Sequence, residues 1–392
     1  MPLSRREVLK FAAAVPGVFG LSTLVATPAA AKPASATWMA DMMQQIGDVP
    51  LCRVALPGTH DSGTYGMTTE SALDPYNEGA RARVVDGVDR LAQQRGISAR
   101  PLMLGWSQAQ DLSISDQLHA GIRYLDLRVS LVDSAYVLGH VLVCGTLDNA
   151  LQQVLMFTQR YPGELIILDV NHLYGMETIE SQVALINFIA GILDGRLVQG
   201  SSTFGPNNTV NEILQHDPIE TACVILLFAS SAAIGASGRT DVWCSEAENY
   251  PPCESSQIIS LWPDQDNAKG VLDHIRSQPE RDLNRFYVSQ GQITPSEELI
   301  SDLGPGMSSH PGSLREAAEL SNPEVLSMAA QEWQGTGANI IILDVFELPL
   351  GTARRRPAPE RCLATPISAA PPRKNTRRWW PRCRESPGWT TT

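Results

Sequence analysis

The chain reads LPGTHDSGT from Leu56 to Thr64, and the interpretation of the fold starts from this stretch. The apolar run from Leu51 to Leu56 is typical of a β-strand, which the Pro57-Gly58 pair is expected to end. The strand therefore carries an imidazole and a carboxylate, His60 and Asp61, into a loop bounded by glycines. A histidine near its ordinary pKa is the usual general base at neutral pH. The dipeptide alone is more typical of an ordinary solvated turn, so its meaning depends on the rest of the chain.

Composition indicates a globular protein with a sizeable core, since 43% of the 392 residues are hydrophobic and 18% are charged. The formal net charge of -12 is unevenly distributed. Residues 1–31 carry about +2 and residues 351–392 about +8, which leaves roughly -22 on the body between them. A body this acidic disfavours nucleic-acid binding and is repelled by anionic lipid surfaces.

The two ends of the chain differ from the body. Arg5-Arg6, a weakly apolar run and Ala29-Ala30-Ala31 resemble a bacterial twin-arginine export signal, so we expect residues 1–31 to be removed and the mature protein to be secreted or periplasmic. From residue 351 the chain is rich in Arg, Pro and Trp without periodicity, which predicts a disordered tail over 351–392. Such a tail could bind anionic surfaces. The abrupt change in composition favours a reading-frame error that replaces a final helix.

The seven cysteines are too few for a disulfide framework in a chain of this size. Cys244 could bridge to Cys253, and Cys52 to Cys144, in an oxidising compartment. Buried free thiols are equally compatible with the pattern. The spacing of Cys and His does not resemble a zinc site.

Short apolar strands alternate with helices along the body. The predicted strands after the first are Ile122–Val129, Tyr136–Val143, Leu165–His172, Cys223–Phe228, Ile258–Trp262, Phe286–Val288 and Ile340–Asp344; the predicted helices are Leu147–Tyr161, Ile179–Leu193, Ala268–Ile275 and Pro323–Trp333, the last capped by Asn322. The polar segment Ser71–Gly96 has too little periodicity to place. This alternation predicts an α/β fold, a (β/α)8 TIM-type barrel that is distorted or incompletely closed. The chain has neither a dinucleotide fingerprint after the first strand nor a P-loop.

Polar side chains stand where such a barrel places its chemistry, at the carboxyl ends of strands. Asp126 and Arg128 are two residues apart in a strand and share a face, whereas Arg123 falls on the opposite one. His140 follows Gly139 in a short strand. Asp344 follows four apolar residues in a buried strand, where a carboxylate is costly unless it is paired.

Three segments together resemble the X domain of phosphatidylinositol-specific phospholipases C, as found in bacterial secreted enzymes and X-domain-only proteins. They are Leu56–Gly63, Gln117–Arg128 and Gly139-His140. Pro162-Gly163-Glu164 and the strand before Asp344 fit the same pattern. The likeness covers residues 38–350, and we place the phosphodiesterase barrel at 32–350.

The resemblance implies a role for each matching residue. His60 matches the general base that takes the proton of the inositol 2-hydroxyl, Asp344 the carboxylate that orients this base, and His140 the general acid that protonates the departing diacylglycerol oxygen. Arg128 matches the arginine that neutralises phosphate charge, with Asp61 assisting at the leaving group. Asp126 occupies a motif position without a defined role. The chemistry is consistent in itself, because intramolecular phosphodiester cleavage needs a base, an acid and a cation on the non-bridging oxygens.

The same comparison bears on cofactors and substrate. Calcium-dependent eukaryotic relatives have an acid where this chain has Arg128 and a glutamate where it has Val170, so we predict cleavage without a metal or other cofactor. Bacterial enzymes hold the inositol ring with basic residues where this chain has Asn171-His172 and Ala229-Ser230. We therefore expect Asn171 and His172, with Asp126, to contact a phospholipid or other phosphodiester headgroup of open identity. Trp262 could stack on a ligand or meet a membrane, but a place in the core is favoured.

Other functions remain open at this point. A glycerophosphodiester or sphingolipid phosphodiesterase on the same barrel would need an acidic metal cluster. A catalytically inactive X domain that binds a lipid headgroup or a surface partner is favoured by the lost basic residues and disfavoured by the two retained histidines. The expected protein is a monomer that contacts membrane surfaces transiently and binds no nucleic acid.

Overall fold

Eight parallel strands form the frame of the chain in the computed structural model, which describes residues 35–76, 78–200, 204–216, 222–245, 256–278, 284–301, 311–332 and 338–347. In chain order the strands are β1 (Leu56–Thr59), β2 (Tyr124–Val132), β3 (Ala135–His140), β4 (Leu142–Thr146), β5 (Ile166–Tyr174), β6 (Val224–Phe228), β7 (Trp243–Cys244), β8 (Ile258–Ser260), β9 (Phe286–Gln290) and β10 (Ile340–Leu343). The parallel strands lie in the order β7-β6-β5-β2-β1-β10-β9-β8. β3 and β4 form an antiparallel hairpin that extends from β2.

The two outer strands of this order approach each other. The N–H of Gln257, directly before β8, donates to the carbonyl of Cys244 at the end of β7, at 2.8 Å. The rings of Trp243 and Phe286 stack with their centroids 6.2 Å apart. The sheet is therefore a nearly closed (β/α)8 barrel, and the predicted fold class is confirmed.

Helices connect the strands, and most begin at a side chain that caps them. Their bounds are α1 (Trp38–Asp41), α2 (Met43–Ile46), α3 (Glu78–Arg95), α4 (Ala99–Ser107), α5 (Ile114–His119), α6 (Leu147–Arg160), α7 (Ile179–Ile192), α8 (Val210–Gln215), α9 (Ser231–Ser237), α10 (Ala268–Ser277), α11 (Glu297–Ser301) and α12 (Leu314–Glu332), with 3-10 turns at Ser35–Thr37 and Leu51–Arg53. Helices α5 to α10 each begin after a Ser, Thr or Asn whose side chain accepts the backbone N–H three residues on. Such caps satisfy N–H groups that have no partner within the helix.

β10 is buried on both faces, as expected of a central parallel strand. Ile340 and Ile342 join the inner core cluster, whereas Ile341 and Leu343 pack with the buried face of α12. This double burial explains why the sequence of the strand is uninterruptedly apolar up to Asp344.

The first strand differs from its prediction. Residues 51–53 form a 3-10 turn, and Pro57 and Gly58 lie inside β1 instead of ending it. Pro57 is tolerated because its carbonyl accepts the N–H of Arg123, a bond that needs no donor from proline. A Cβ at Gly58 would lie 2.8 Å from Ile342 and 3.0 Å from Tyr124, so the strand needs a glycine to pack there.

The last helix also differs. The prediction that Asn322 caps a helix starting at Pro323 is wrong, because α12 begins at Leu314 and Pro323 lies inside it. The N-terminal end uses Ser313, whose hydroxyl accepts the N–H of Glu316 at 3.2 Å. Asn322 instead donates its side-chain N–H to the carbonyl of Asp344, at 2.8 Å.

Arg123 directly precedes β2 and takes no part in the cluster around His60, Asp126 and Arg128. Its guanidinium pairs with Glu164 at 2.5 Å, and both side chains are fully buried. Glu164 also accepts the N–H groups of Met39 and Ala40, which fixes α1 against the opposite end of the barrel.

Several sequence-based expectations fall outside the described residues: the export signal over 1–31, the tail over 351–392 and the Cys244–Cys253 bridge. Cys52 and Cys144 are not joined by a disulfide; the thiol of Cys144 donates to the carbonyl of Tyr65.

Among the helices in the described ranges, none has the length and hydropathy needed to cross a membrane.

Candidate active site at the carboxyl ends of the strands

His60 and Asp344 meet because their strands are neighbours. β1 and β10 pair in parallel with Thr59 opposite Leu343, so the next residue of each chain leaves the sheet at the same place. Nδ1 of His60 lies 2.7 Å from Oδ1 of Asp344, and the two side chains are 5% and 2% exposed. With Nδ1–H donated to the carboxylate, Nε2 is left as the basic nitrogen of the ring.

Arg128 occupies the space in front of that nitrogen. Its Nη2 donates to Nε2 of His60 at 2.7 Å. Its Nε lies 2.7 Å from Oδ1 of Asp61, an ion pair without the alignment of a hydrogen bond. The guanidinium carbon also lies 5.7 Å from the centroid of the Trp262 ring. The guanidinium of Arg128 therefore contacts the candidate base, a carboxylate and the face of an aromatic ring.

Burial and charge together set the protonation of this group. Burial alone would lower the pKa of His60, but the charges of Asp61 and Asp344 outweigh it and raise the pKa above its ordinary value. Burial raises the pKa of Asp61 to about 6, although Arg128 and His60 oppose the rise. Burial would lower the pKa of Arg128, yet Asp61 and Asp126 raise it, so the guanidinium stays charged.

Asp126 braces the loop that carries Asp61. Asp61 has a φ of 44°, in the left-handed region, and its N–H donates to Oδ2 of Asp126 at 2.9 Å. The other carboxylate oxygen accepts the side-chain N–H of Asn171 at 2.7 Å. Burial would raise the pKa of Asp126, but Arg128 and His60 hold it below its ordinary value. Asp126 therefore stabilises an unusual backbone conformation directly after the candidate base.

Asn171 and His172, on β5, lie behind Asp126. Nδ1 of His172 donates to Oδ1 of Asn171 at 2.6 Å. Burial and the charge of Arg128 lower the pKa of His172 to about 3, so its ring is neutral at physiological pH. Neither residue is among those that line the described cleft, and their contact with a headgroup stays a prediction.

A cleft opens beside His60 and Arg128. His140, at the end of β3, lines the same cleft, and its Nδ1 lies 3.3 Å from the carbonyl of Ser107. The remaining lining is largely apolar: Val84, Trp262, Ile293, Thr294, Pro295 and Leu314. Both histidines and the arginine of the prediction thus share one cavity. Trp262 lines it, and the favoured expectation that this tryptophan lies in the core is wrong.

The arrangement suits a guanidinium better than a metal ion. Ligand atoms of His60, Asp61 and Asp126 lie within 4.8 Å of one another, a spacing that a cation could use. Arg128 already contacts Nε2 of His60 and Oδ1 of Asp61, two groups of that set. A divalent ion bound to this set would lie close to the positive charge of the buried guanidinium, and this repulsion disfavours it.

Sequence reasoning missed Gln110. Its side chain is fully buried, and Nε2 donates to the carbonyls of His60 and Leu343, both at 2.8 Å. A glutamine in a polar stretch before a helix carries no signal of such a role, because its two partners are 50 and 233 residues away.

Fold and site together define a class, the nearly closed α/β barrels with a His–Asp pair and an arginine at the carboxyl ends of the strands. Comparison with curated proteins identifies the family to which the chain belongs within this class. The human PI-PLC X domain-containing protein 2 is 34% identical over 274 residues, which are 68% of this chain and 80% of that protein. The bovine PI-PLC X domain-containing protein 3 is 24% identical over 321 residues, 80% of this chain and 90% of its own length. The chain belongs to the family of PI-PLC X domain-containing proteins.

Solved structures agree at the level of the fold. A phosphatidylinositol-specific phospholipase C of Staphylococcus aureus superposes with a TM-score of 0.51 at 17% identity, covering 80% of this chain and 91% of that one. The enzyme of Listeria monocytogenes gives 0.50 at 16% identity, with 80% and 94% covered. No family model matches the chain.

Proposed function

We propose that this protein is a phosphodiesterase of the phospholipase C type, which cleaves a glycerophospholipid such as phosphatidylinositol by histidine acid–base catalysis. The observation that carries the proposal is the 2.7 Å contact between Nδ1 of His60 and Asp344, with Nε2 turned to Arg128 beside the cleft. A buried His–Asp pair fixes the tautomer of a general base. The guanidinium next to it supports the proposal, because it can pair with an anionic phosphodiester.

These positions support the following reaction. Nε2 of His60 takes the proton of a headgroup hydroxyl, whose oxygen attacks the adjacent phosphorus. The guanidinium of Arg128 donates to the non-bridging oxygens as charge accumulates on them. His140, which lines the same cleft, gives a proton to the departing alcohol oxygen as its bond to phosphorus breaks. The products are a cyclic phosphodiester of the headgroup and a neutral diacylglycerol.

We propose that this cleavage needs no metal ion. Arg128 supplies the positive charge at the site, and it contacts two of the three residues that could otherwise bind a cation. Activity that is lost in EDTA and restored by calcium would contradict this part of the proposal.

The test is incubation of the purified protein with headgroup-labelled phosphatidylinositol, with and without EDTA. We expect inositol 1,2-cyclic phosphate in both cases, and a loss of at least about a thousandfold in His60→Ala. His119→Ala is a matched control, because His119 is an exposed histidine on α5 whose ring packs on Phe157 and Tyr161. Equal activity in the His60→Ala and wild-type proteins would exclude the proposed base.

A second function is favoured by one observation. The resemblance implies a basic residue in the bacterial enzymes where this chain has Ala229-Ser230. Neither residue offers a positive charge to a headgroup, and the hydroxyl of Ser230 caps α9. A catalytically inactive domain that binds a headgroup would co-sediment with phosphatidylinositol vesicles and form no cyclic product. Turnover by the wild-type protein would exclude it.

A further inference from the structure

The side chain of Gln110 bridges the two chain segments that carry the His–Asp pair. One amide group donates its two hydrogens to the carbonyls of His60 and Leu343, the residue before Asp344. Both distances are 2.8 Å, and the side chain is fully buried. Leu343 ends β10 and His60 directly follows β1, so a single amide connects the two neighbouring strands at the point where the chain leaves the sheet.

The backbone next to Gln110 makes the same connection. The N–H of Val345 donates to the carbonyl of Ala109 at 2.7 Å, and the N–H of Ala109 donates to the hydroxyl of Thr64 at 3.0 Å. Val345 has a φ of 40°, so the chain turns sharply after Asp344. Residues 109 and 110 therefore hold the loop after β1 and the loop after β10 together.

The backbone hydrogen bonds between β1 and β10 constrain the ends of these strands less tightly. Beyond the paired residues Thr59 and Leu343, the N–H of His60 donates to the carbonyl of Leu343 at 3.2 Å, near the long end for such bonds. The two shorter bonds from Gln110 act on the same pair of chains. A short side-chain hydrogen bond such as that between His60 and Asp344 weakens steeply when either backbone shifts.

We propose that Gln110 is a positioning residue for the phosphodiester cleavage proposed above: it fixes the backbone of His60 relative to that of Asp344 and so maintains the contact between Nδ1 and the carboxylate. The inference rests on the proposed function for its catalytic meaning. Its structural content, the alignment of the pair, can be measured without turnover.

The alignment has an electrostatic consequence. The charged groups that face His60 are Asp344 after β10, Asp61 in its own loop and Arg128 on β2, with Asp126 and His172 further away. Asp344 contributes to the raised pKa of His60 both by its charge and by its hydrogen bond. Loosening this contact lowers the pKa of His60.

The test compares Gln110→Met with Gln117→Met. Methionine keeps the length of the side chain and removes the donors. Gln117 is the comparison, because it too is fully buried and donates to two carbonyls, those of Ser62 and Leu112. Its Oε1 accepts the hydroxyl of Thr59 at 2.7 Å, so it supports the loop after β1 without bonding to His60 or to the strand that leads to Asp344. Each substitution removes two buried hydrogen-bond donors, so both variants unfold at a lower urea concentration than the wild type.

The decisive measurement is NMR titration of the histidine rings, with the His60 signal assigned among the seven histidines by substitution. In Gln110→Met the pKa of His60 falls by about half a unit or more, and in Gln117→Met it stays at the wild-type value. The acidic limb of the kcat profile moves in the same direction in Gln110→Met, with kcat lowered about tenfold and KM little changed. If Gln110→Met does not fold, Gln110→Asn keeps the amide but is too short to reach both carbonyls, and the same shift is expected.

An unchanged His60 titration in a folded Gln110 variant would overturn the inference and leave Gln110 a purely structural residue. Failure of the proposed function is seen separately, as absence of turnover by the wild-type protein while its His60 still titrates above the Gln110 variants.

Discussion

At the scale of the residue, Arg128 dominates the ligand-free site. It donates to the nitrogen of His60 that would accept a proton, and it pairs with Asp61. A planar guanidinium can make both contacts and still present N–H groups to a phosphate, which a lysine ammonium cannot do. The price of this arrangement is a buried carboxylate, Asp61, held next to two other acids, Asp126 and Asp344.

Asp61 makes the stability of the fold depend on pH in a defined direction. Its pKa in the folded chain is about 6, above the ordinary 3.8, so between these values the folded state binds the proton that the unfolded state has released. Its contribution to the unfolding free energy therefore falls as pH rises from about 4 to 6, by up to about 3 kcal/mol, and is level above that.

The substitution Asp61→Asn removes this dependence. We expect the variant to gain in unfolding free energy relative to the wild type as pH rises through this window, measured by urea denaturation at several pH values. The comparison isolates Asp61 from Asp169, whose pKa burial also raises to about 6 and which is present in both proteins. A difference between the two proteins that is constant with pH would show that Asp61 is not protonated in the folded state near pH 5.

At the scale of the element, the β3–β4 hairpin places His140. Gly139 precedes this histidine, and a Cβ there would collide with the carbonyl of Leu142 and lie 3.2 Å from Cα of Val143. Val141, at the turn, has a φ of 65° and leaves little freedom for adjustment.

We expect Gly139→Ala to displace the hairpin and with it the imidazole of His140. The unfolding free energy falls by about 1–3 kcal/mol, as for other forced contacts in a packed region, and phosphodiesterase activity falls with it. Gly145→Ala, on the other strand of the same hairpin, is the control, because a Cβ at Gly145 meets nothing within 4 Å. Equal stability and activity of the two variants would show that the hairpin accommodates a side chain at residue 139.

At the scale of the whole molecule, the sequence predicted the barrel because each core strand is a separate apolar run between helices. The run Ile340–Leu343 is the clearest example, since it is buried on both faces. The site could be predicted where burial of a charged side chain would destabilise the fold unless the charge were paired. Asp344, directly after this apolar run, is the clearest example, and it is paired with His60.

Other features depend on contacts that no local pattern contains. Helix α3 lies in the polar segment Ser71–Gly96, for which the sequence predicted no structure. The helix packs against α11 and α4 and lacks a strong apolar stripe that would reveal it in the sequence. Pro57 lies within a strand because its partner needs only the carbonyl. Asn322 donates to the carbonyl of Asp344, 22 residues away, instead of capping a helix at Pro323. The role of Gln110 exists only once residues 50 and 233 positions away are adjacent.

The acidic body predicts a response to salt that belongs to the molecule as a whole. Residues 32–350 carry roughly -22, and a vesicle of phosphatidylinositol is also anionic. Charge repulsion at the surface is screened when the Debye length shrinks from about 30 Å at 0.01 M salt to about 8 Å at 0.15 M. We therefore expect the initial rate on pure phosphatidylinositol vesicles to rise severalfold over this range.

The same lipid diluted in an excess of zwitterionic phosphatidylcholine serves as the control, and its rate should change much less. A rate on pure phosphatidylinositol that falls steadily with added salt would indicate attraction, as from the basic residues 351–392, in place of repulsion.

The position of β10 between β1 and β9 has a consequence for biosynthesis. His60 and Asp344 are 284 residues apart, so a nascent chain emerging from the ribosome displays its imidazole long before the carboxylate that orients it has been made. The strand that fills the last place in the sheet also delivers that carboxylate. The last strand of the sheet and the orientation of His60 therefore depend on the same segment, so the catalytic pair proposed above cannot form before residue 344 has been synthesised.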